Sequence, residues 1–510
     1  MRDTEALGAG DPGAVEALFG GRTEAGARAA LVEAYRRFGW LAARLDPLGL
    51  RPPETPAELD PAAHGFTAAD AAPLAAAYCG TLGWEFGHLL DGARRAWLAA
   101  RAEAAWAPGA DDRARALELI ARGEQLEAAF GRRMPGVKTF GLAGAEGILV
   151  LTDAVLRAAV ALGARRVLTA GMHRGRFTQM GLNFGKPLVR LVAEAQGTPE
   201  VPAGTGAQSD VPYHLGFDGA VAIAGREVPI WVAPHPSHLS LVGPMMQGRA
   251  RAAVEAEGAR AVLPLIVHSE AAFAGQGVNA EVLQLSGLAP WHIGGTVHLV
   301  INNQIGFTTE PGEGRTARTP VDIARLIEAP VLHVNGDDPD ALIRAGQVAA
   351  AYRAAFGADI VVELVAYRRK GHNEIDEPRF TQPLLYQAID AMPPLSVRYA
   401  REIGAEADQG RFADELDAAF AAARDWAPNG PEAPPRGLVT DIEDRLCATV
   451  ETGVDPDALR ALGVQLTRLP EGFAAHPKVA RFLAERAQAI EAGEGIDWAT
   501  AEALALASLA

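Results

Sequence analysis

The feature that most restricts the fold is a set of short, continuous apolar segments that alternate with helical patterns between about residues 137 and 400. Continuous apolar runs of this length are typical of strands buried on both faces, and strands separated by helices form parallel sheets. One such helix is predicted over 338–356, because Asp337-Asp338-Pro339 is a typical helix start. We therefore predict an α/β fold built on a doubly wound, mostly parallel sheet. The predicted strands are 166–170, 229–233, 262–268, 297–302, 331–334 and 360–367.

The regions on either side of this sheet are rich in Ala, Arg, Glu and Leu and have helical patterns. Proline and glycine clusters mark the boundaries between them. We predict a mobile N-terminus, a helical N-terminal region, the α/β domain, a helical connector and a short final segment. These five parts cover 1–22, 23–132, 133–400, 401–495 and 496–510.

Composition excludes several classes of protein. The 47 Lys and Arg against 63 Asp and Glu give a net charge of −16, which argues against a nucleic-acid binder. Two cysteines exclude a disulfide scaffold, and no apolar run approaches the roughly 20 residues that cross a membrane. The first residues are acidic and have no signal-peptide core. We expect a cytoplasmic protein that binds neither nucleic acid nor membrane.

Four polar motifs each follow a predicted strand: 171–176 (GMHRGR), 268–272 (HSEAA), 302–306 (NNQIG) and 371–374 (GHNE). In an open parallel sheet, ligands bind beyond the carboxyl ends of the strands. Four such motifs at one edge are unlikely to coincide by chance. The sequence therefore predicts a ligand site at this edge.

Glu270 and Asn303, together with a backbone carbonyl, form a candidate cation site. Carboxylate, amide and carbonyl oxygens are ligands that Mg²⁺ prefers, with phosphate oxygens completing its shell. The separation of 33 residues (303 − 270) suits one strand–helix–strand unit. The alternative is that Glu270 caps the following helix and Asn303 closes a turn.

Nine of the 12 histidines lie between His173 and His372. His173 stands beside two arginines, whose guanidinium groups match phosphate or carboxylate. His214 and His238 lie in segments that are predicted to be loops. Together these residues suit an anionic substrate and proton transfer near neutral pH, although a structural role for each histidine remains open.

These motifs together resemble the thiamine-diphosphate-dependent decarboxylase component of 2-oxoglutarate dehydrogenase. The similar segments span about residues 30 to 400. They include YCGTLGWEFGHL (78–89), GMHRGR (171–176), DVPYHLGFDG (210–219), HPSHLSLVGP (235–244), AAFAGQGVNAEVLQLS (271–286), GGTVHLVINNQIGFTT (294–309) and YRRKGHNEIDEPRFTQPLLYQ (367–387).

The resemblance implies the transketolase-like, thiamine-diphosphate-binding fold and a set of site residues. Thiamine diphosphate and Mg²⁺ are the implied cofactors. Glu270, Asn303 and Ile305 match the metal and cofactor ligands, and Arg174 matches a further cofactor-binding position. The implied catalytic residues are His173 and His214, and the implied substrate-binding residues are His238, His268 and His372.

The implied reaction is oxidative decarboxylation of a 2-oxo acid, followed by acyl transfer to a lipoyl group on an acyltransferase core. The pyrimidine ring of the cofactor needs a further domain in this family. The segment 496–510 resembles only the start of that domain, so we expect a truncated site. We expect a pyrimidine-domain chain or second half-subunit to complete it, in a homo- or hetero-oligomer.

Three departures from the family pattern bear on this expectation. The metal motif G-D-A reads Ser269-Glu270-Ala271 here, and glutamate is one methylene longer than aspartate. The histidine–arginine motif is one residue shorter, and the segment 315–322 has lost its R-S-S/T-x-Y pattern. The alternative hypothesis is therefore a non-catalytic paralogue or truncated fragment that acts at most as a scaffold or regulator.

Overall fold

The computed structural model describes residues 24–198, 210–235, 239–406, 410–427, 449 and 451–509. The chain divides into two compact units, Met1–Arg436 and Gly437–Ala510. The predicted boundaries after residues 132 and 400 both fall inside the first unit. The N-terminal region is joined to the α/β region because it contributes an edge strand to the same sheet.

The described residues form eight strands, which are β1 (Leu82–Glu85), β2 (Arg166–Gly171), β3 (Phe217–Ile223), β4 (Arg226–Val232), β5 (Val262–Ser269), β6 (Val297–Asn302), β7 (Val331–Asn335) and β8 (Ile360–Val365). The helices of the first unit are α1 (Glu24–Phe38), α2 (Ala68–Tyr78), α3 (Gly92–Glu103), α4 (Ala110–Arg133), α5 (Gly147–Ala161), α6 (Arg176–Leu182), α7 (Leu188–Ala195), α8 (Val242–Glu257), α9 (Glu270–Gly275), α10 (Gly277–Leu285), α11 (Pro311–Gly314), α12 (Pro339–Phe356), α13 (Pro383–Ala391), α14 (Leu395–Ile403) and α15 (Gly410–Ala422). Short 3₁₀ helices cover Gly39–Ala42, Ala57–Leu59, Pro61–His64, Asp322–Ile327 and Pro378–Phe380.

One sheet holds all eight strands, in the order β1-β7-β8-β6-β5-β2-β4-β3. The six central strands are parallel, and β1 and β3 pair antiparallel at the two edges. The predicted doubly wound, mostly parallel sheet is confirmed, and the six predicted strands are β2 and β4 to β8. The sequence prediction missed β1 and β3, both of which are edge strands.

Helices cover both faces of the sheet, as the continuous apolar strands require. On one face, α5 and α12 pack on each other and on the strands, within a core that includes Val167 and Leu263. On the other face, α8 packs on β2 and β5 through Met246, Leu168 and Ile266. The helix predicted over 338–356 is α12, whose first turn is capped by the Asp338 side chain.

An ionic cluster of three buried residues and one exposed arginine joins β1, β7 and β8. The His333 ring lies between two carboxylates, with Nδ1 2.5 Å from Glu363 Oε2 and Nε2 2.9 Å from Glu85 Oε2. Arg325 Nε donates to Glu85 Oε1 at 2.7 Å, and Trp40 stacks on the His333 ring at 4.7 Å. We call Glu85, His333, Glu363 and Arg325 the sealed cluster.

The sealed cluster contains a charged histidine. Burial alone would lower the pKa of His333, but the hydrogen bonds from Glu363 and Glu85 outweigh it and raise the pKa to about 9. Burial likewise opposes ionisation of Glu85, yet His333 and Arg325 lower its pKa overall. The two carboxylates therefore hold an imidazolium between them.

The second unit contains α16 (Pro456–Thr467), α17 (Pro477–Ala492) and α18 (Trp498–Leu509) among its described residues. A side chain at Gly463 would meet Ile490 Cγ2 at 2.5 Å, so glycine permits the close approach of α16 and α17. The segment predicted to open a pyrimidine-binding domain contains α18, and its assignment stays a prediction. In the described part of the chain, every helix is too short or too polar to cross a membrane.

Candidate functional site

The four polar motifs are brought to one edge of the sheet. They follow β2, β5, β6 and β8, and these strands are neighbours in the order β8-β6-β5-β2. Because the four strands run parallel, their carboxyl ends lie side by side. The sequence prediction that these motifs share one edge is therefore confirmed by the strand order.

A cavity of about 560 Å³ opens at this edge. Six of the nine residues predicted for the site line it: His173, Arg174, Glu270, Asn303, Ile305 and His372. Residues that the sequence prediction did not single out also line it, among them Gln276, Phe307, Arg315 and Arg368.

Glu270 is the first residue of α9 and is 4% exposed. Burial raises the pKa of this carboxyl to about 7, against the opposing effects of its own backbone N–H and of Arg174, Arg315 and Arg368. The longer side chain still faces the cavity beside Asn303 and Ile305. The change from aspartate therefore leaves the carboxylate in the cavity wall.

Asn303 and Ile305 lie in the turn that follows β6. Asn303 Oδ1 accepts from the Ile305 N–H at 3.3 Å, so Asn303 does close a turn, but an amide oxygen keeps a second lone pair. Asn302 supports this turn, because its Oδ1 accepts from the Gln304 N–H and its Nδ2 donates to Glu363 at 2.7 Å. Gln304 has the left-handed φ of 61° that the turn requires.

The donor set fits a hard cation that is shared with an anionic ligand. It offers one carboxylate, one amide oxygen and one backbone carbonyl, all of which border the cavity. Within the described ranges no three His, Cys, Asp or Glu side chains gather as a self-sufficient metal site. Mg²⁺ commonly binds through few protein oxygens plus phosphate oxygens, so this set suits a metal–phosphate pair better than a metal alone.

Arg174 is held by backbone carbonyls. Its Nη1 donates to Gly141 O and its Nη2 to His372 O, both at 3.1 Å. Burial, and then the like charge of Arg368, lower the pKa of Arg174 to about 10, which leaves it charged at neutral pH. A fixed, buried guanidinium of this kind is suited to an oxyanion.

Aromatic and imidazole rings form one wall of the site. The His173 ring lies 4.5 Å from Phe140 and 5.5 Å from His372. Phe140 also contacts Tyr213, which contacts His214. Thus His173 and His372 line the cavity. His214 belongs to the same ring cluster but does not line the cavity, and its Nδ1 lies 2.9 Å from Asp210 Oδ2.

Two predicted substrate-binding histidines are not brought into the cavity wall by the described residues. His268 is a strand residue, and its Nε2 lies 3.1 Å from His298 Nδ1 in a buried contact. Burial, and then the charge of His298, hold the pKa of His268 well below its usual value. His238 lies outside the described residues.

Comparison with known proteins shows what this chain is similar to. The family model described as Dehydrogenase E1 component matches residues 206–417. These residues are therefore similar to a dehydrogenase E1 component. Two similar proteins are the 2-oxoglutarate dehydrogenase E1 components of Brucella anthropi and Brucella ovis, each 37% identical over 94% of this chain and 53% of the relative. The chain spans about half the length of the curated relatives it matches, and the resemblance inferred from the motifs is confirmed.

The cavity also contains residues that the sequence analysis missed. Arg368 lies in the YRRK segment, which is part of the resemblance to the family, four residues before the predicted site residue His372. Arg315 lies where the family pattern was noted as lost. The signal available was a pair of arginines close to two strand-end motifs.

Proposed function

We propose that this chain forms the diphosphate- and Mg²⁺-binding part of a thiamine-diphosphate-dependent 2-oxo acid dehydrogenase. The observation that carries the proposal is the shared cavity of Glu270, Asn303, Ile305 and Arg174 at four neighbouring strand ends. The relatives named as 2-oxoglutarate dehydrogenase E1 components support the same reaction class.

In this proposal the oxygens of Glu270, Asn303 and Ile305 hold Mg²⁺, and Arg174 holds the diphosphate. When bound, thiamine diphosphate supplies the nucleophilic carbon and the electron sink for decarboxylation of a 2-oxo acid. The turn at Gln304 fixes the two donors on either side of it before any ligand arrives. Such preorganisation reduces the ordering cost of binding.

The histidine wall supplies the polar groups for the substrate. We propose that His173 and His372 hydrogen-bond the 2-oxo acid and that His173 exchanges a proton with it. In this proposal His214 assists His173 indirectly, through the ring contacts that connect the two histidines. The tight packing of Phe140 against His173 fixes the orientation of the His173 ring.

The partners belong to the same proposal. A lipoyl-bearing acyltransferase core would receive the acyl group. A pyrimidine-domain chain or second half-subunit would supply the remaining contacts to the cofactor. The substrate we propose is 2-oxoglutarate, since the relatives named for it share 37% identity with this chain.

Calorimetric titration of thiamine diphosphate, with and without Mg²⁺, tests the proposal. Glu270→Gln keeps the side-chain shape and removes the carboxylate charge. We expect it to weaken Mg²⁺-dependent binding by about tenfold to a hundredfold, because charge-assisted contacts contribute roughly 1.5–3 kcal/mol. The matched control is Glu313→Gln, an exposed carboxylate outside the cavity wall.

Equal binding by wild type and Glu270→Gln would contradict the metal assignment. No binding of thiamine diphosphate by wild type, even with Mg²⁺ and the partner chain present, would contradict the function itself. Native mass spectrometry of the complex from its own cell would give the identity of that partner.

A further inference from the structure

Arg315 is a half-buried arginine that lines the cavity and has no protein partner in the described part of the chain. Its side chain makes no hydrogen bond or ion pair with any described residue, and its Nε is shielded from solvent. A buried, unsatisfied donor costs roughly 1–3 kcal/mol, so a native structure that retains one calls for an explanation.

Two more guanidinium groups share this cavity. Arg368 is 4% exposed, and it uses Nε on Lys370 O and Nη2 on Phe307 O, at 3.1 and 2.9 Å. Arg174 is bound to two backbone carbonyls, as described above. The backbone therefore holds two of the three cations in place, while Arg315 is held by no such contact.

The carboxylates of the cavity do not neutralise these cations. Glu270 and Glu310 are the acidic residues in its described wall, and Glu310 is exposed, so solvent screens its charge. Glu363, from outside the wall, and then Glu270 act on Arg315 through space, yet no ion pair joins Glu270 to any of the three arginines within the described residues. In the described wall of the cavity, three guanidinium groups therefore face one buried carboxylate.

We propose that Arg315 and Arg368 are anion-binding residues that bind the diphosphate together with Arg174. This inference rests on the proposed function and extends it to two residues that the motifs did not assign. A diphosphate has enough negative charge and enough oxygens to accept hydrogen bonds from several guanidinium groups, whereas a single carboxylate does not. Arg315 then gains its hydrogen bonds when the ligand binds.

The test is calorimetric titration of inorganic pyrophosphate, with and without Mg²⁺, into wild type and Arg315→Ala. Arg315 has no described protein contact to lose, so the variant should fold normally, which its melting temperature checks. We expect a loss in affinity of about tenfold to a hundredfold, both with and without Mg²⁺. The matched control is Arg318→Ala, because Arg318 is exposed, pairs with Glu54 and does not line the cavity.

Parallel titrations with inorganic phosphate and with 2-oxoglutarate distinguish the ligands. A variant that binds pyrophosphate like wild type overturns the inference. So does a variant that loses only 2-oxoglutarate, since Arg315 would then serve the substrate. If Arg315→Ala is normal while Glu270→Gln is impaired, the inference fails and the proposed function stands. If wild type binds no pyrophosphate even with Mg²⁺ and the partner chain present, both fail.

Discussion

The sealed cluster and the charged residues of the cavity belong to the same sheet, but only in the sealed cluster are the charges paired with each other. In the sealed cluster, Glu85 and Glu363 each bond to His333, and Arg325 and Asn302 satisfy their remaining oxygens. In the cavity, Glu270 and Arg315 attract each other through space, but no hydrogen bond or ion pair joins these two described residues. The first arrangement stabilises the fold, and the second leaves binding capacity for a ligand.

The contrast teaches how to separate structural from functional charges. Buried ionic groups that bond only to each other act on stability, and removing one partner leaves the others unpaired. Buried ionic groups that lack partners cost stability in the free protein and gain their partners on binding. The two clusters are connected, since Glu363 bonds to Asn302 and Asn302 supports the turn that carries Asn303 and Ile305.

The largest expected effect is in the sealed cluster. His333→Leu leaves Glu363 buried without a cation and Glu85 with Arg325 alone, and we expect a loss of about 3–5 kcal/mol in the free energy of unfolding. Chemical denaturation measures it. The control is His292→Leu, an exposed histidine, which should change the same quantity by less than about 0.5 kcal/mol. Equal losses in the two variants would show that the cluster contributes nothing special.

The pH dependence sharpens the same contrast. The pKa of His333 is raised from 6.5 to about 9 in the folded state, so its contribution to stability is fully present below pH 6.5 and is lost as the pH rises through 9. Across this window the slope should be about 1.4 kcal/mol per pH unit or less. Denaturation of wild type and His333→Gln at pH 6.5 and 9 measures it. A fall of the same size in both would assign the dependence to other groups.

The smallest effect is expected in the cavity. Arg315→Ala removes a side chain without a described protein partner, so the free energy of unfolding should change by less than about 0.5 kcal/mol or rise slightly. Denaturation beside the binding titration measures both quantities in one variant. A loss of 2 kcal/mol or more in the free energy of unfolding would mean that Arg315 has a structural role, which would contradict the distinction between the two clusters.

The sequence predicted the central sheet because strands buried on both faces are continuous apolar runs. It missed β1 because four residues are too few for a pattern, and their pairing with β7 is set by distant contacts. It missed β3, because the turn before β4 is Ala224-Gly225, and alanine at the first position of positive φ is not the Asn-Gly or Asp-Gly pair that signals a hairpin.

The site was predictable where a residue follows a strand. Glu270, Asn303 and Arg174 were found in this way, because strand ends converge whatever the loops do. His268 does not line the cavity because it is still inside β5, and its ring points to His298 instead. Arg315 was missed, because the position of a residue nine places beyond a strand-end motif (315 − 306) depends on the path of the loop.

The edge strand β1 has a consequence for how the chain folds during synthesis. Leu82 pairs with Val334, a separation of 252 residues (334 − 82). At about 5–20 residues per second, a ribosome needs roughly 13–50 seconds to make that stretch. Throughout this interval β1 lacks its partner strand β7, and Glu85 lacks His333. One of the first strands to be made therefore pairs with one of the last, and closing so long a loop is slow.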